Sequence, residues 1–260
     1  MIQFDKRIYE SGVFEKPIYE SWLKNVNERE ILEEALTDRF SEWFDQEWNV
    51  KRIKIIDIGC GSGSASKRLF RILDNKNIKY SYLGIDPYKE QLERFEKEIT
   101  IDKNKKLLCS TLDEFKTEEK FDLAFVIHSL YYVEDIEKAL NKIMIFADKA
   151  IVVHHGENGI NKVQKKFKKY VKKGPNIIGT YKDILVSLEK LGIKYDYDIY
   201  EATVNVSHCK NPKDKEGINM IKFFLERSKL SKDIIIEVSK WFKEEMDDTM
   251  KHDFALIITK

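Results

Sequence analysis

The run Ile55-Ile56-Asp57-Ile58-Gly59-Cys60-Gly61-Ser62-Gly63 constrains this chain more than any other stretch. Its apolar residues suit a buried strand. Its alternating glycines let the backbone turn tightly and let a ligand come close to it. A helical pattern starts at Ser64, so the first amide groups of that helix point at whatever lies on the turn. A dinucleotide fingerprint asks for glycine or alanine at the sixth position of such a turn, where this chain has Ser64, and it does not ask for the acid at Asp57.

Beyond that turn, strand and helix patterns alternate. Strands are expected over 53–58, 80–86, 106–110, 123–128 and 150–154, and helices over 64–73, 88–99 and 134–147, with a short turn near 113–115. Such alternation with short connections predicts an α/β fold, a Rossmann-like, doubly wound parallel sheet. Before it, residues 17–48 are helical in pattern, with Ile31, Leu32, Ala35, Leu36, Phe40, Trp43 and Phe44 at helical spacing. After it the rhythm changes. Helices are expected over 161–171, 181–191, 218–227 and 232–245, and strands over 195–206 and 254–258. The whole, 1–260, reads as a single domain. It has an N-terminal helical cap segment (1–48), a cofactor-binding core (49–155) and remaining strands with substrate-side helical insertions (156–260). The segments 1–48, 156–180 and 207–251 are expected to cover the carboxyl edge of the sheet.

Charge narrows the partners. Lys and Arg number 46 against 45 Asp and Glu, so the net charge is only +1. That balance gives no general attraction to nucleic acid or to an anionic membrane. Lysine pairs such as Lys165-Lys166 and Lys172-Lys173 read as solvated helix faces. Cys60, Cys109 and Cys209 are odd in number and widely spaced, which fits a reducing compartment. The first residues, Met1 to Arg7, contain no apolar signal core, and no run is long enough to span a bilayer. A cytoplasmic location is expected.

Asp57, the glycine turn and Asp86 at the end of the second strand, in this order and spacing, resemble the class I S-adenosylmethionine-dependent methyltransferases. The resemblance covers about residues 50–155. It implies a seven-stranded sheet whose last strand is antiparallel, with S-adenosyl-L-methionine as cofactor. Asp57 then receives the methionyl ammonium, directly or through water, or else caps the local turn. Gly59, Cys60, Gly61 and Gly63 form the turn. Asp86, followed by Pro87, accepts from the ribose hydroxyls or caps the next helix, and Gln91 reaches the same ribose. Thr111, Leu112 and Asp113 flank the adenine, with Asp113 either an amino-group acceptor or a helix cap. Ile127 ends the fourth strand, the strand that faces the transferable methyl group.

The segment Ile127-His128-Ser129-Leu130-Tyr131-Tyr132-Val133 lacks an Asp/Asn-Pro-Pro-aromatic motif, which argues against nucleic-acid bases and protein glutamine as acceptors. Its paired tyrosines resemble the histamine N-methyltransferases. Glu134-Asp135-Ile136, Val163 to Phe167, Leu191 to Tyr195, and Tyr19-Glu20-Ser21-Trp22-Leu23 with Glu28 extend that resemblance. It implies a small-molecule acceptor, an amine or nitrogen heterocycle. Glu28 would be a polar anchor, Tyr19, Trp22, Tyr131, Tyr132 and Phe224 aromatic walls, and His128 and His252 substrate contacts. Ile160 and Gln164 replace two tryptophans of the family's amine pocket. His128, His252 and Tyr132 are the candidate catalytic residues. An imidazole can take the proton of an acceptor that arrives protonated. All five histidines, with His154, His155 and His208, fall in segments expected at the carboxyl edge, where doubly wound folds bind ligands. No helical His-x-x-x-His or Cys-x-x-Cys spacing is present, and no metal is expected. The other functions open to the sequence are an O-methyltransferase and a non-catalytic S-adenosylmethionine-binding protein.

Overall fold

The computed structural model describes residues 12–14, 17–47, 52–100, 104–172 and 178–260. The N-terminal run up to Arg7, Trp48, Lys173 and the side chains of Phe40, Trp43 and Phe44 lie outside the described residues. The strands are β1 (Arg52–Ile58), β2 (Lys79–Asp86), β3 (Lys105–Cys109), β4 (Phe121–Ile127), β5 (Ala147–His155), β6 (Tyr195–Asn205) and β7 (Thr249–Thr259). They form one sheet in the order β3-β2-β1-β4-β5-β7-β6, mixed, with the last strand antiparallel. β1 pairs in parallel with both β2 and β4, so the chain reverses direction across the sheet at that junction. The carboxyl ends of β1 and β4 therefore flank the crevice where such sheets hold ligands.

Described helices are α1 (Ile18–Asn25), α2 (Glu28–Glu47), α3 (Ser64–Asn75), α4 (Lys89–Glu98), α5 (Ile136–Phe146), α6 (Ile160–Lys166), α7 (Tyr181–Lys190), α8 (Lys215–Phe224) and α9 (Lys232–Glu245). Among the described residues no helix is long and apolar enough to cross a membrane.

The chain divides into two compact units. One comprises Leu32–His154, Tyr181–Tyr200 and Ala255–Lys260. Its core joins Ile56, Ala124, Val126 and Val152 of the sheet to Leu140 and Ile143 of α5 and to Ile184 and Leu188 of α7. α5 presents this face because its apolar residues recur at helical spacing, and Asp135 starts it by accepting the Lys138 N–H at 3.0 Å.

The other unit comprises the described residues up to Ile31, His155–Thr180 and Glu201–Phe254. Here the helical pattern of 17–48 is divided between two helices. Val26 forms an antiparallel bridge with Val204, and Asn27 Oδ1 accepts the Thr203 N–H at 2.7 Å. Sheet pairing takes those backbone groups out of the helix, so α1 stops and Glu28 becomes the first residue of α2. α1 packs on α8 through Trp22 and Phe223, whose rings are stacked with centroids 4.9 Å apart, and through Asn25 Nδ2, which donates to Glu216 Oε1 at 2.7 Å. Asp214 caps α8 by accepting from the Glu216 and Gly217 N–H groups. The closing strand starts at Thr249, not at 254, so His252 lies inside β7 and not before it.

Candidate active site

In the first unit, β1 delivers Asp57 to the turn. Asp57 is buried, and its Oδ2 accepts from Ser66 Oγ at 2.6 Å and from Tyr82 OH at 2.8 Å. Burial pushes its carboxyl up to about 7, against the pull of those two hydrogen bonds, and the nearby Asp86 charge adds to the rise. Ser66 and Tyr82 were not singled out by sequence. The available signal was Tyr82 where β2 turns apolar, a hydroxyl that needs a polar partner once buried.

Asp86 ends β2 and is also buried. Its Oδ2 accepts the Gly61 N–H and its Oδ1 the Tyr88 N–H, both at 2.9 Å. Burial pushes it up to about 6, with both N–H groups pulling the other way. It ties the glycine turn to the β2–α4 turn. Tyr88 is the N-cap residue of α4 and has no side-chain cap bond. Each carboxylate oxygen keeps a further lone pair for a ribose hydroxyl. A Cβ built on Gly61 would meet nothing within 4 Å, so the turn is open on that side. This open turn, the N-terminus of α3 behind it and two buried acids beside it fit S-adenosylmethionine.

Gly59 adopts φ +73°, and a Cβ there would lie 2.4 Å from Cβ of Ser129. Ser129 cannot easily withdraw, because its Oγ donates to the Ile58 carbonyl at 2.7 Å. Gly59→Ala should therefore destabilise the protein by about 2 kcal/mol or more, read as a lowered thermal midpoint. An unchanged midpoint would show that this junction of β1 and β4 yields freely.

Of the other expected cofactor residues, Cys60 is buried, and burial holds its thiol well above the ordinary range. Gly63 is the left-handed N-cap of α3. Pro87 and Gln91 are half-buried. Leu112 packs in the hydrophobic core. Asp113 is exposed and does not cap the 112–114 turn. Thr111 does so, with Oγ1 accepting the Glu114 N–H at 3.0 Å, because it stands first in the turn and its hydroxyl reaches back to the free amide. Ile127 is the half-buried last residue of β4.

Just beyond it, His128 adopts φ +51°, a left-handed conformation uncommon outside glycine. Its Nδ1 lies 2.8 Å from Tyr131 OH, and the Tyr131 ring meets His154 with centroids 4.0 Å apart. Tyr132 sits edge-on to Tyr131 in a short 3-10 turn, Leu130–Tyr132.

The second unit gathers Tyr19, Trp22, Glu28, Phe224 and His252, and adds His155 and Phe223, which sequence reasoning did not assign. Glu28 Oε1 lies 3.5 Å from His155 Nε2 and 3.4 Å from His252 Nε2. Trp22 meets His252 edge-on at 5.5 Å and Phe224 edge-on at 5.7 Å. Tyr19 accepts a hydrogen bond from Arg29 at 3.2 Å. His155 arrives because the loop after β5 is tied to β7: the Gly156 N–H donates to the Asp253 carbonyl, and the Asn158 N–H to Asp253 Oδ1. Gly159, at φ +67°, makes room for His252, whose Nδ1 would lie 2.1 Å from a Cβ there. His208 belongs elsewhere. Its Nδ1 is 3.0 Å from Asp214 Oδ2, and this hydrogen bond raises its pKa while the thiol of neighbouring Cys209 is held up by burial. The three cysteines are free.

A family model described as a methyltransferase domain matches residues 56–145, from within β1 to near the end of α5. Histamine N-methyltransferase of Bos taurus is 24% identical over 265 residues, which cover 92% of this chain and 87% of that protein. Among solved structures, the plantazolicin methyltransferase BpumL in complex with monoazolic desmethylPZN analog and SAH aligns with a TM-score of 0.52 at 13% identity, over 96% of this chain and 94% of that one. Coclaurine N-methyltransferase bound to N-methylheliamine and SAH aligns with a TM-score of 0.51 at 12% identity, over 88% of this chain and 72% of that one. The two structural likenesses concern the fold.

Proposed function

We propose that this chain, a class I S-adenosylmethionine-dependent methyltransferase, methylates the nitrogen of a small amine or nitrogen heterocycle. Its cofactor, S-adenosylmethionine, supplies a sulfonium-borne methyl group when bound. In this reading Asp57 holds the methionyl ammonium, Asp86 the ribose hydroxyls, and the backbone of Gly59 and Gly61 the close approach between them.

One observation carries the choice of nitrogen: the buried Glu28 carboxylate with His155, His252 and Trp22 around it. A carboxylate attracts a cation, and both imidazoles are uncharged unless protonated, so a cationic amine matches the chemistry of this cluster. Trp22 offers that cation an aromatic surface. An ammonium has no lone pair with which to attack a methyl carbon. In this reading His252 or His155 takes its proton, with Glu28 stabilising the imidazolium that results. The acceleration then comes from position and exclusion of water. The bovine relative's name agrees with nitrogen as the acceptor atom.

The test is methyl transfer from labelled S-adenosylmethionine to a panel of amines and phenols, with products identified by mass spectrometry. N-methyl products are expected. Methyl ethers or methyl esters alone would replace this reading with the O-methyltransferase.

A further inference from the structure

In the unit that holds Glu28, several buried polar atoms make no hydrogen bond to any described residue. They are Asn161 Oδ1, Gln164 Oε1, Glu226 Oε2, Ser239 Oγ and both ring nitrogens of His252. Each such group is costly if nothing meets it. Gln164 is the most informative, because its orientation is determined. Its side chain is fully buried on α6, and Nε2 donates to the Phe224 carbonyl at 3.1 Å. The Glu226 carboxyl also interacts with this amide. The Phe224 carbonyl can only accept, so the amide nitrogen must face it and cannot exchange places with the oxygen. Oε1 is left as a buried acceptor that no described residue meets.

That oxygen belongs to the same packed group as the proposed amine anchor. Phe224, whose carbonyl holds Gln164, meets Trp22, Trp22 meets His252, and His252 faces Glu28. Burial pushes the Glu226 carboxyl up to about 7, while the Lys172 charge and the Gln164 amide pull it down. Glu226 thus acts on Gln164 as a positioning residue, through the amide.

We propose that Gln164 Oε1 receives a second donor group of the acceptor, an O–H or N–H remote from the methylated nitrogen, so that the substrate is a bifunctional amine held at one end by Glu28 and at the other by Gln164. This rests on the nitrogen reading above. An acceptor with only hydrocarbon at its far end would leave Oε1 buried and unmet. Sites built around a substrate hydroxyl or N–H reject analogues that lack it far more strongly than apolar sites reject a missing methylene.

Matched aryl amines that differ by one ring hydroxyl test this: phenethylamine against tyramine, and benzylamine against 4-hydroxybenzylamine. Two quantities are read. One is the affinity of each amine for the enzyme saturated with S-adenosylhomocysteine, by calorimetry. The other is kcat/KM with the N-methyl product identified by mass spectrometry. The wild-type protein should favour the hydroxylated member of at least one pair by about tenfold or more. Gln164→Met, close in volume, should bring that ratio to about one. Glu226→Gln should raise KM for the hydroxylated amine more than it lowers kcat, a split that general loss of structure would not give. S-adenosylhomocysteine binding identifies a variant that has failed to fold, and the wild-type ratio stands without either variant. Equal affinities within both pairs, or a preference that survives Gln164→Met, would overturn the second contact and leave the N-methyltransferase standing. Transfer to oxygen alone would overturn both.

Discussion

Replacing Asp57 by asparagine should make the protein without cofactor more stable at pH 8 and yet weaken its hold on S-adenosylmethionine by about 10- to 100-fold. The two effects share one cause. Burial raises the Asp57 carboxyl to about 7, far above its ordinary 3.8. Below about pH 4 the carboxyl is protonated whether the chain is folded or not. As pH rises toward 7, the unfolded chain ionises freely while the folded one holds its proton, so stability falls across that window. Above about 7 the loss is complete, on the order of 4 kcal/mol. Asparagine cannot ionise, and the Ser66 and Tyr82 hydroxyls can turn to serve it, so most of that pH dependence should vanish. Asp86, raised to about 6 by burial, keeps the remainder.

A bound ammonium favours the ionised carboxylate. Cofactor affinity in the wild-type protein should therefore increase with pH up to about 7 and then level off, while Asp57→Asn removes most of that increase. Denaturant unfolding and calorimetry at pH 5 and pH 8 measure both. A variant no more stable than wild type at pH 8 would mean that hydrogen bonds, and not burial, dominate at Asp57.

Glu28→Gln should raise KM for a cationic acceptor by about 10- to 100-fold, the worth of a charge-assisted hydrogen bond, with a much smaller effect on S-adenosylmethionine affinity. The amide keeps the shape of the carboxylate but loses its charge. The two imidazoles, each with Nε2 within 3.5 Å of Glu28 Oε1, meet the same oxygen. Steady-state kinetics decide it. An unchanged KM in Glu28→Gln would remove the anchor and with it the main support for a cationic acceptor.

What the sequence by itself determined is local and contiguous. The strand, glycine turn and helix from β1 into α3 were legible because apolar pattern, glycine and helix start sit next to one another in the chain. α9 was expected over 232–245 and lies at Lys232–Glu245. Its start is written in Ser231, which accepts the Ile234 N–H. Tertiary structure decided whatever depends on a distant partner. α1 ends because Val26 bridges Val204. β7 begins five residues early, at Thr249, because sheet pairing and not its own apolar pattern sets its start, and that places His252 inside a strand. His155 reaches Glu28 because Asp253 ties down the loop after β5. Phe223, not Phe224 alone, packs on Trp22, since the face of α8 that turns inward is set by α1. Gln164 has a fixed amide because Phe224, sixty positions along the chain, offers it a carbonyl. Side-chain type and spacing carry the first kind of information. The second arises only when segments remote in the chain compete for the same backbone groups and the same buried space.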